Sequence, residues 1–322
     1  MNPFSLGVDK LLEATVIGSF SRVGYATRSR VEGWIDPPSL AGRHVLITGA
    51  TSGLGFEAAS RLASLGATVT FVARDDTRAG TAAQSLRERS HNERIDYVLG
   101  DTSDLVAMRR VGDEIAARGP LDVLIHNAGA ITTTRSLSAQ GYESTVAAQL
   151  LGPFLLTTVL LPALRASRPG RVLTVSSGGM YSQRFDLSTL EMPPEGYDGV
   201  IAYAKVKRAQ LVLNHEWVHH VDAADVVFHA MHPGWTNTPG LAASLPHFYA
   251  VAKPWLRTPA QGADTLVWLA GAREALNTTG DFWLDRHPRL EHKVPWTRSR
   301  DPGRDQVMLW DWCEQRTAAY VN

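Results

Sequence analysis

The stretch "RHVLITGATSGLG" (residues 43–55) decides the fold. Its first half, 43–49, is a short apolar run that ends on a glycine and reads as a strand. The second half, "TGATSGLG" (48–55), places Gly49, Gly53 and Gly55 between that strand and a helical pattern. Glycines at this spacing allow a tight turn, with Thr51, Ser52 and Leu54 completing it. They also let a pyrophosphate approach the backbone N–H groups at a helix start. Glycine patterns alone are weak signals. This one gains weight from its position after the first strand of an alternating chain.

The alternation continues outward. "ATVTFVAR" (67–74), "RIDYVLG" (94–100), "LDVLIHNAG" (121–129), "GRVLTVSS" (170–177) and "DVVFHAMHPG" (225–234) read as further strands separated by helical stretches. Each is a continuous apolar run rather than an alternating one, as a parallel sheet covered on both faces requires. The fold class is therefore α/β, a doubly wound, mostly parallel sheet of Rossmann type in a single domain with an N-terminal helical extension. The expected organisation is an extension over 1–42, the Rossmann-type domain over 43–285 and a C-terminal extension over 286–322. The last carries Trp296, Trp310 and Trp312, which are expected to pack on the domain.

In the N-terminal extension Val8, Leu12, Val16, Phe20 and Val23 recur at helical spacing, with Lys10, Arg22, Arg28 and Arg30 nearby. This predicts one amphipathic helix over residues 8–30. Peripheral contact with a membrane surface and docking on the domain or a second subunit, giving a homo-oligomer, both stay open. Docking is favoured, because such stripes usually bury against protein.

Formal net charge is zero, which removes the electrostatic case for a nucleic-acid partner. A single cysteine, Cys313, forbids an intramolecular disulfide and fits a reducing compartment. Asp9, Lys10 and Glu13 interrupt the N-terminal apolar stretch, so no secretory signal is read there. The expected location is cytoplasmic, or membrane-associated through residues 8–30. The apolar run at 150–164 is too short to span a bilayer and reads as a buried helix.

"IAYAKVKRAQ" (201–210) poses the chemical question. With 200–221 as a helix, Lys207 follows Tyr203 by four residues and shares its face, while Lys205 points away. Lys205 and Arg208 read as solvated charge. A nearby ammonium would favour the phenolate of Tyr203, which could then exchange a proton with a substrate oxygen.

"TGATSGLG", "NAG" (127–129), "TVSS" (174–177), "YAKVK" (203–207) and "HPGWTNT" (232–238) occur in the order of the short-chain dehydrogenase/reductase family, which the chain resembles over residues 43 to 285. "VSSGGM", "HPGW", "TPG" and "QGADTLVWLA" narrow the resemblance to the family's member-twelve type. The long segment between Ser177 and Tyr203 resembles the retinol-dehydrogenase-like subgroup. The resemblance implies that Ser177 holds the substrate oxygen, Ser176 is structural and Lys207 also binds the nicotinamide ribose. It implies that Asp101 lies near adenine, Asn127, Ala128 and Gly129 lie along the cofactor, and Pro233, Gly234, Thr236 and Thr238 approach the carboxamide. The family's fourth catalytic position is usually asparagine. Gln149 stands there instead, and as the better helix former it is expected to favour a regular helix and to weaken a proton relay.

NAD-preferring Rossmann proteins carry an acid at the end of the second strand. Here that position is Ala73, followed by Arg74, whose guanidinium suits a 2′-phosphate. NADP is therefore expected over NAD. "HEWVH" (215–219) matches a zinc-peptidase pattern but sits late on the Tyr203 helix without a third ligand, so no metal is assigned and a zinc hydrolase is the remote alternative. His126 reads as packing. Trp235, Leu241, Leu245, Phe248, Tyr249 and Trp255 suggest an apolar lid over a small apolar carbonyl or alcohol substrate. The expected activity is hydride transfer between NADP(H) and that substrate. A non-catalytic dinucleotide-binding or redox-sensing protein is the alternative that Gln149 motivates.

Overall fold

The computed structural model describes residues 3–321. All six strand-like runs form strands: β1 (His44–Thr48), β2 (Thr68–Ala73), β3 (Ile95–Leu99), β4 (Val123–His126), β5 (Gly170–Val175) and β6 (Val226–Met231). Two short strands that the sequence did not reveal, β7 (Phe282–Leu284) and β8 (His287–Pro288), complete a sheet ordered β3-β2-β1-β4-β5-β6-β7-β8. Every pairing is parallel except β7 with β8. The chain order reverses between β1 and β4, which opens a crevice at their C-terminal ends, where ligands bind in such sheets.

The helices are α1 (Pro3–Glu13), α2 (Val16–Phe20), α3 (Arg22–Glu32), α4 (Gly53–Ser64), α5 (Asp76–Ser90), α6 (Leu105–Ala117), α7 (Ser144–Val146), α8 (Gly152–Ser167), α9 (Gly199–His220), α10 (Pro239–Ser244), α11 (Pro246–Ala252), α12 (Pro259–Gly271) and α13 (Pro302–Thr317). Val45 and Ile47 of β1 enter a core with α4, α5 and α12, while Leu46 enters the opposite core with α6, α8 and α9. Two covered faces explain the unbroken apolar strands. α13 joins the second core through the fully buried Leu309 and Cys313.

The apolar run at 150–164 belongs to a longer helical stretch, Ser144–Ser167, which has the length and composition to cross a membrane. Burial therefore identifies it as a core helix, not shortness: Phe154, Leu155, Leu156, Leu160 and Leu164 all lie in the core.

The single N-terminal helix expected over 8–30 is instead three helices. The Thr15 hydroxyl caps α2 by accepting from Gly18 N (2.9 Å), and Ser21 caps α3 by accepting from Val23 N (3.2 Å). These turns split the expected stripe: Phe20 is buried, whereas Val16 and Val23 face outward. The extension docks on the domain through charges. Fully buried Arg28 donates to Asp9 Oδ1 and to Asp285 Oδ2, each at 2.7 Å. Arg257 holds Asp285 with two bonds (2.5 and 2.8 Å), and Arg289 holds Asp9 with two (2.7 and 2.8 Å). Burial alone would raise the Asp9 carboxyl, but Arg289 and Arg28 hold it far below the usual carboxylate range.

Asp285 and Arg286 form the β7–β8 turn, both with left-handed backbone (φ 54° and 59°), as a two-residue hairpin of this hand demands. The expected domain end at residue 285 falls inside this turn.

Removing one partner of a buried ion network leaves an unpaired buried charge. Arg28→Ala should therefore lower unfolding free energy in denaturant titration by about 3–5 kcal/mol. Exposed Arg22→Ala should stay within ~0.5 kcal/mol. Equal, small effects from both would refute a stabilising network.

Candidate active site

The glycine turn follows β1 directly. Gly49 and Gly53 have left-handed backbone (φ 71° and 60°), and a Cβ on Gly49 would stand 2.8 Å from Ala128 Cα. Asn127 stitches the turn to β4 by donating through Nδ2 to Thr48 O (3.0 Å) and Gly49 O (2.9 Å). A Cβ on Gly55 would stand 2.3 Å from that same Nδ2. Ser52 precedes α4 without a side-chain cap bond among the described residues, which leaves first-turn N–H groups for an anion. Thr51, Gly53 and Leu54 are half-buried in the turn.

Arg74 emerges after β2 with an exposed side chain, its nearest carboxylate being Asp101 at 3.8 Å. The two acids that follow it are engaged elsewhere. Asp75 caps α5 by accepting from Arg78 N (2.8 Å), and Asp76 accepts from the Tyr97 hydroxyl (2.8 Å). Each of these carboxylates already holds one bond, and the exposed Arg74 guanidinium stands beside them at the strand end. The other Asp101 oxygen orders its own turn by accepting from Ser103 N and Oγ, both at 2.8 Å.

Ser177 stands two residues past β5 and caps a 3-10 turn by accepting from Gly179 N (3.2 Å). Tyr203, on α9, lies near enough to Ser177 for the serine hydroxyl to act on its phenol. The Lys207 ammonium lies 5.3 Å from the centre of the Tyr203 ring and donates to Val175 O (2.8 Å). Ser176 Oγ donates to Lys207 O (3.0 Å), which fits its expected structural role. Within the chain alone, burial dominates both titrating groups. It pushes the Tyr203 phenol up to about 12, opposed only by the nearby Ser177 hydroxyl, and pulls Lys207 down to about 7. The expected lowering of the phenol by the lysine is therefore not delivered by the protein by itself.

Gln149 is buried, and the helix around it is not regular. Residues Ala147–Leu151 form a π turn between α7 and α8, which overturns the expectation of an undistorted helix. The Gln149 side chain donates to Ala130 O (3.0 Å), and its backbone carbonyl accepts from Gln210 Nε2 (2.6 Å). Its Oε1 has no hydrogen-bond partner among the described residues. A Cβ on Gly129 would meet that Oε1 at 2.7 Å and Lys207 Nζ at 3.3 Å, so these two groups share one small space beside Gly129.

The loop after β6 closes the other side. Gly234 has left-handed backbone (φ 70°), and a Cβ there would strike Arg257 Nε at 2.4 Å and Phe20 O at 2.6 Å. Buried Thr236 donates back to Pro233 O (3.0 Å). Thr238 caps α10 and lies 3.7 Å from the Cβ position of Gly53, which brings this loop against the glycine turn. The segment expected to act as a lid forms α10, α11 and a short turn to Trp255, with Trp235 packed edge-on to Phe248 (5.3 Å). A cleft of about 270 Å³ opens between the lid residue Ser244, the loop at 131–133 and residues 197–200.

Lys205 points away from Tyr203, as expected, and donates to Thr189 O (2.9 Å). Arg208 corrects the solvated-charge reading: it is buried and donates to Gln183 O, Met180 O and Glu291 O (3.0, 2.9 and 2.8 Å). In "HEWVH", His215 binds Glu291 (2.7 Å) and buried Glu216 binds His220 (3.1 Å). His126 is buried on Thr157 Oγ1 (2.7 Å), and burial lowers it to about 3. Sequence reasoning missed Gln210, Arg257 and Phe20, whose partners are mostly backbone carbonyls or backbone N–H groups of distant segments. No local pattern announces such partners.

Comparisons with known proteins agree with this geometry. The short chain dehydrogenase family pattern matches residues 43–247. The chain is 37% identical over 271 residues to human dehydrogenase/reductase SDR family member 12, covering 84% of this chain and 85% of that one. It is 32% identical over 304 residues to mouse retinol dehydrogenase 14, covering 88% and 89%. The solved structure of an uncharacterised Mycobacterium paratuberculosis protein superposes with TM-score 0.69 at 30% identity, covering 88% of this chain and 96% of that one. With a glycine turn, a Ser177–Tyr203–Lys207 cluster and a matching fold all in register, the chain belongs to the short-chain dehydrogenase/reductase family and is an oxidoreductase that binds a nicotinamide dinucleotide.

Proposed function

We propose that this protein is an NADP-dependent oxidoreductase of an apolar carbonyl/alcohol pair, with Tyr203 as its acid/base. The observation that carries the reading is the meeting of Ser177, Tyr203 and Lys207 at the C-terminal end of β5, beside the glycine turn. Bound nicotinamide supplies or accepts the hydride at carbon. The chain does the rest. Ser177 Oγ donates to the substrate oxygen, and Tyr203 gives that oxygen its proton in reduction and takes it back in oxidation. Lys207 holds the ribose and, when charged, favours the phenolate. Arg74 takes the 2′-phosphate, a role supported by the prior engagement of Asp75 and Asp76. Trp235 and Phe248 keep water from an apolar substrate.

A second reading, dinucleotide binding without turnover, rests on Gln149, whose carbonyl is already bonded to Gln210. Cofactor oxidation measured over a panel of aldehydes and ketones separates the two. Bound cofactor with no turnover on any of them supports the second.

Arg74→Ala should weaken NADPH tenfold or more, on the order of 1.5–3 kcal/mol for charge-assisted bonds, and leave NADH nearly unchanged. Equal losses would assign the 2′-phosphate elsewhere. Tyr203→Phe should lower kcat at least ~100-fold, while Lys205→Ala should keep most of it. A damaging Lys205→Ala would overturn the pairing of Tyr203 with Lys207.

Lys207 also makes a stability prediction. Its folded value is depressed from 10.5 to about 7, so between those values the unfolded chain carries a proton that the folded chain lacks. The Lys207 contribution to stability should therefore rise with pH across that window, unopposed up to about pH 9, above which the raised Cys313 thiol works against it. Lys207→Met should remove this slope and abolish turnover. At pH 7 and below it should stabilise the fold by roughly 1–3 kcal/mol. Thermal unfolding across the window checks the sign.

A further inference from the structure

Apart from the buried Phe20, the N-terminal extension turns polar groups inward and large apolar side chains outward. Asp9, Ser19, Ser21 and Arg28 are buried against the domain, while Phe4 (70% exposed), Leu11 (75%), Val16 (53%), Ile17 (49%) and Val23 (44%) face outward. Docked helices normally do the reverse. Scattered exposed apolar residues need no explanation, but an outward set paired with an inward ionic set does.

The charges sort in the same way. Every acidic residue among 3–32 is committed inward. Asp9 pairs with Arg28 and Arg289, Glu13 with Lys293 (2.6 Å), and Glu32 with His287 (2.9 Å). The exposed charges of the same stretch are Lys10, Arg22 and Arg30, all basic. On α1, Lys10 lies on the outward side with Phe4 and Leu11, opposite the buried Ser5 and Asp9.

The buried network fixes this orientation, because Arg28 and Arg257 tie the extension to Asp285. Arg257 also donates to Ser19 O and Phe20 O (both 3.0 Å), linking the extension to the end of the lid. The lid continues the pattern, with exposed Val251 (80%) and Trp255 (43%) flanking exposed Lys253.

From this sorting of side chains we infer that the outward face of residues 3–23 is a docking surface for an anionic lipid bilayer. The apolar side chains would enter the acyl boundary, and Lys10 and Arg22 would meet the headgroup charge. Nothing spans the membrane in this arrangement. A lipid surface fits better than a protein partner because the exposed apolar side chains of this stretch come with exposed charges of a single sign. The inference does not depend on the proposed reaction.

The test is vesicle co-sedimentation of the full chain. Vesicles of phosphatidylcholine with phosphatidylglycerol should carry the protein down, and phosphatidylcholine alone should carry much less. High salt should weaken the binding. A Phe4→Ser, Leu11→Ser, Ile17→Ser variant should lose at least ~10-fold in partition with an unchanged melting temperature, since all three residues are exposed. Lys10→Glu with Arg22→Glu should remove the preference for phosphatidylglycerol without touching the apolar set, and gives an independent reading if the first variant folds poorly. Absence of binding to either vesicle overturns the proposal, as does binding that both variants leave unchanged. A wild-type dimer in analytical ultracentrifugation that the serine variant splits would assign the face to a second copy of this chain and would also overturn it.

Discussion

The carboxylate of Asp285 organises the end of the molecule where the site lies. It is fully buried, sits in a left-handed turn, and accepts from Arg28 and Arg257 together. One carboxylate thus joins the N-terminal extension, the lid and the last parallel strand. Arg257 passes the constraint to Phe20 O, which also accepts from Trp235 N (2.8 Å) in the loop after β6. The Phe20 ring stands 3.3 Å from the Cβ position of Gly178, the residue after Ser177. The extension is therefore a wall of the candidate active site. Buried charges of this kind add little net stability over apolar packing, but they are costly to break.

Much of this was legible in the sequence, and the parts that were not share a cause. The six long strands announced themselves because both sheet faces are covered, which forces unbroken apolar runs. β7 and β8 did not, since three and two residues carry no period. Their turn uses Asp285 and Arg286 where asparagine and glycine would have signalled a hairpin. The N-terminal extension was misjudged because the apolar spacing outweighed two cap signals, Thr15 and Ser21, that were present in the sequence. A four-residue offset sufficed to pair Tyr203 with Lys207, because both lie on one helix. Arg208, five residues from Tyr203 on that helix, was misread as solvated because its acceptors are carbonyls of Met180, Gln183 and Glu291.

Gln149 shows how a site can absorb a change of residue. Asparagine and glutamine carry the same amide on stems that differ by one methylene. Propensity favours a regular helix for glutamine, yet the π turn is present. Two bonds account for it. Gln210 holds the backbone carbonyl, and Ala130 O holds the side-chain amide, so the segment is anchored from α9 and from the loop after β4 at once. Tertiary anchors of this strength exceed a propensity difference of a few tenths of a kcal/mol. The longer stem then presents Oε1, rather than the backbone oxygen, to the space beside Gly129 that Lys207 Nζ also borders. An amide oxygen thus stands near the lysine, while the Gln149 backbone oxygen is held by Gln210. The distortion is therefore held by bonds to the surrounding fold, which outweigh the local preference of glutamine for a regular helix.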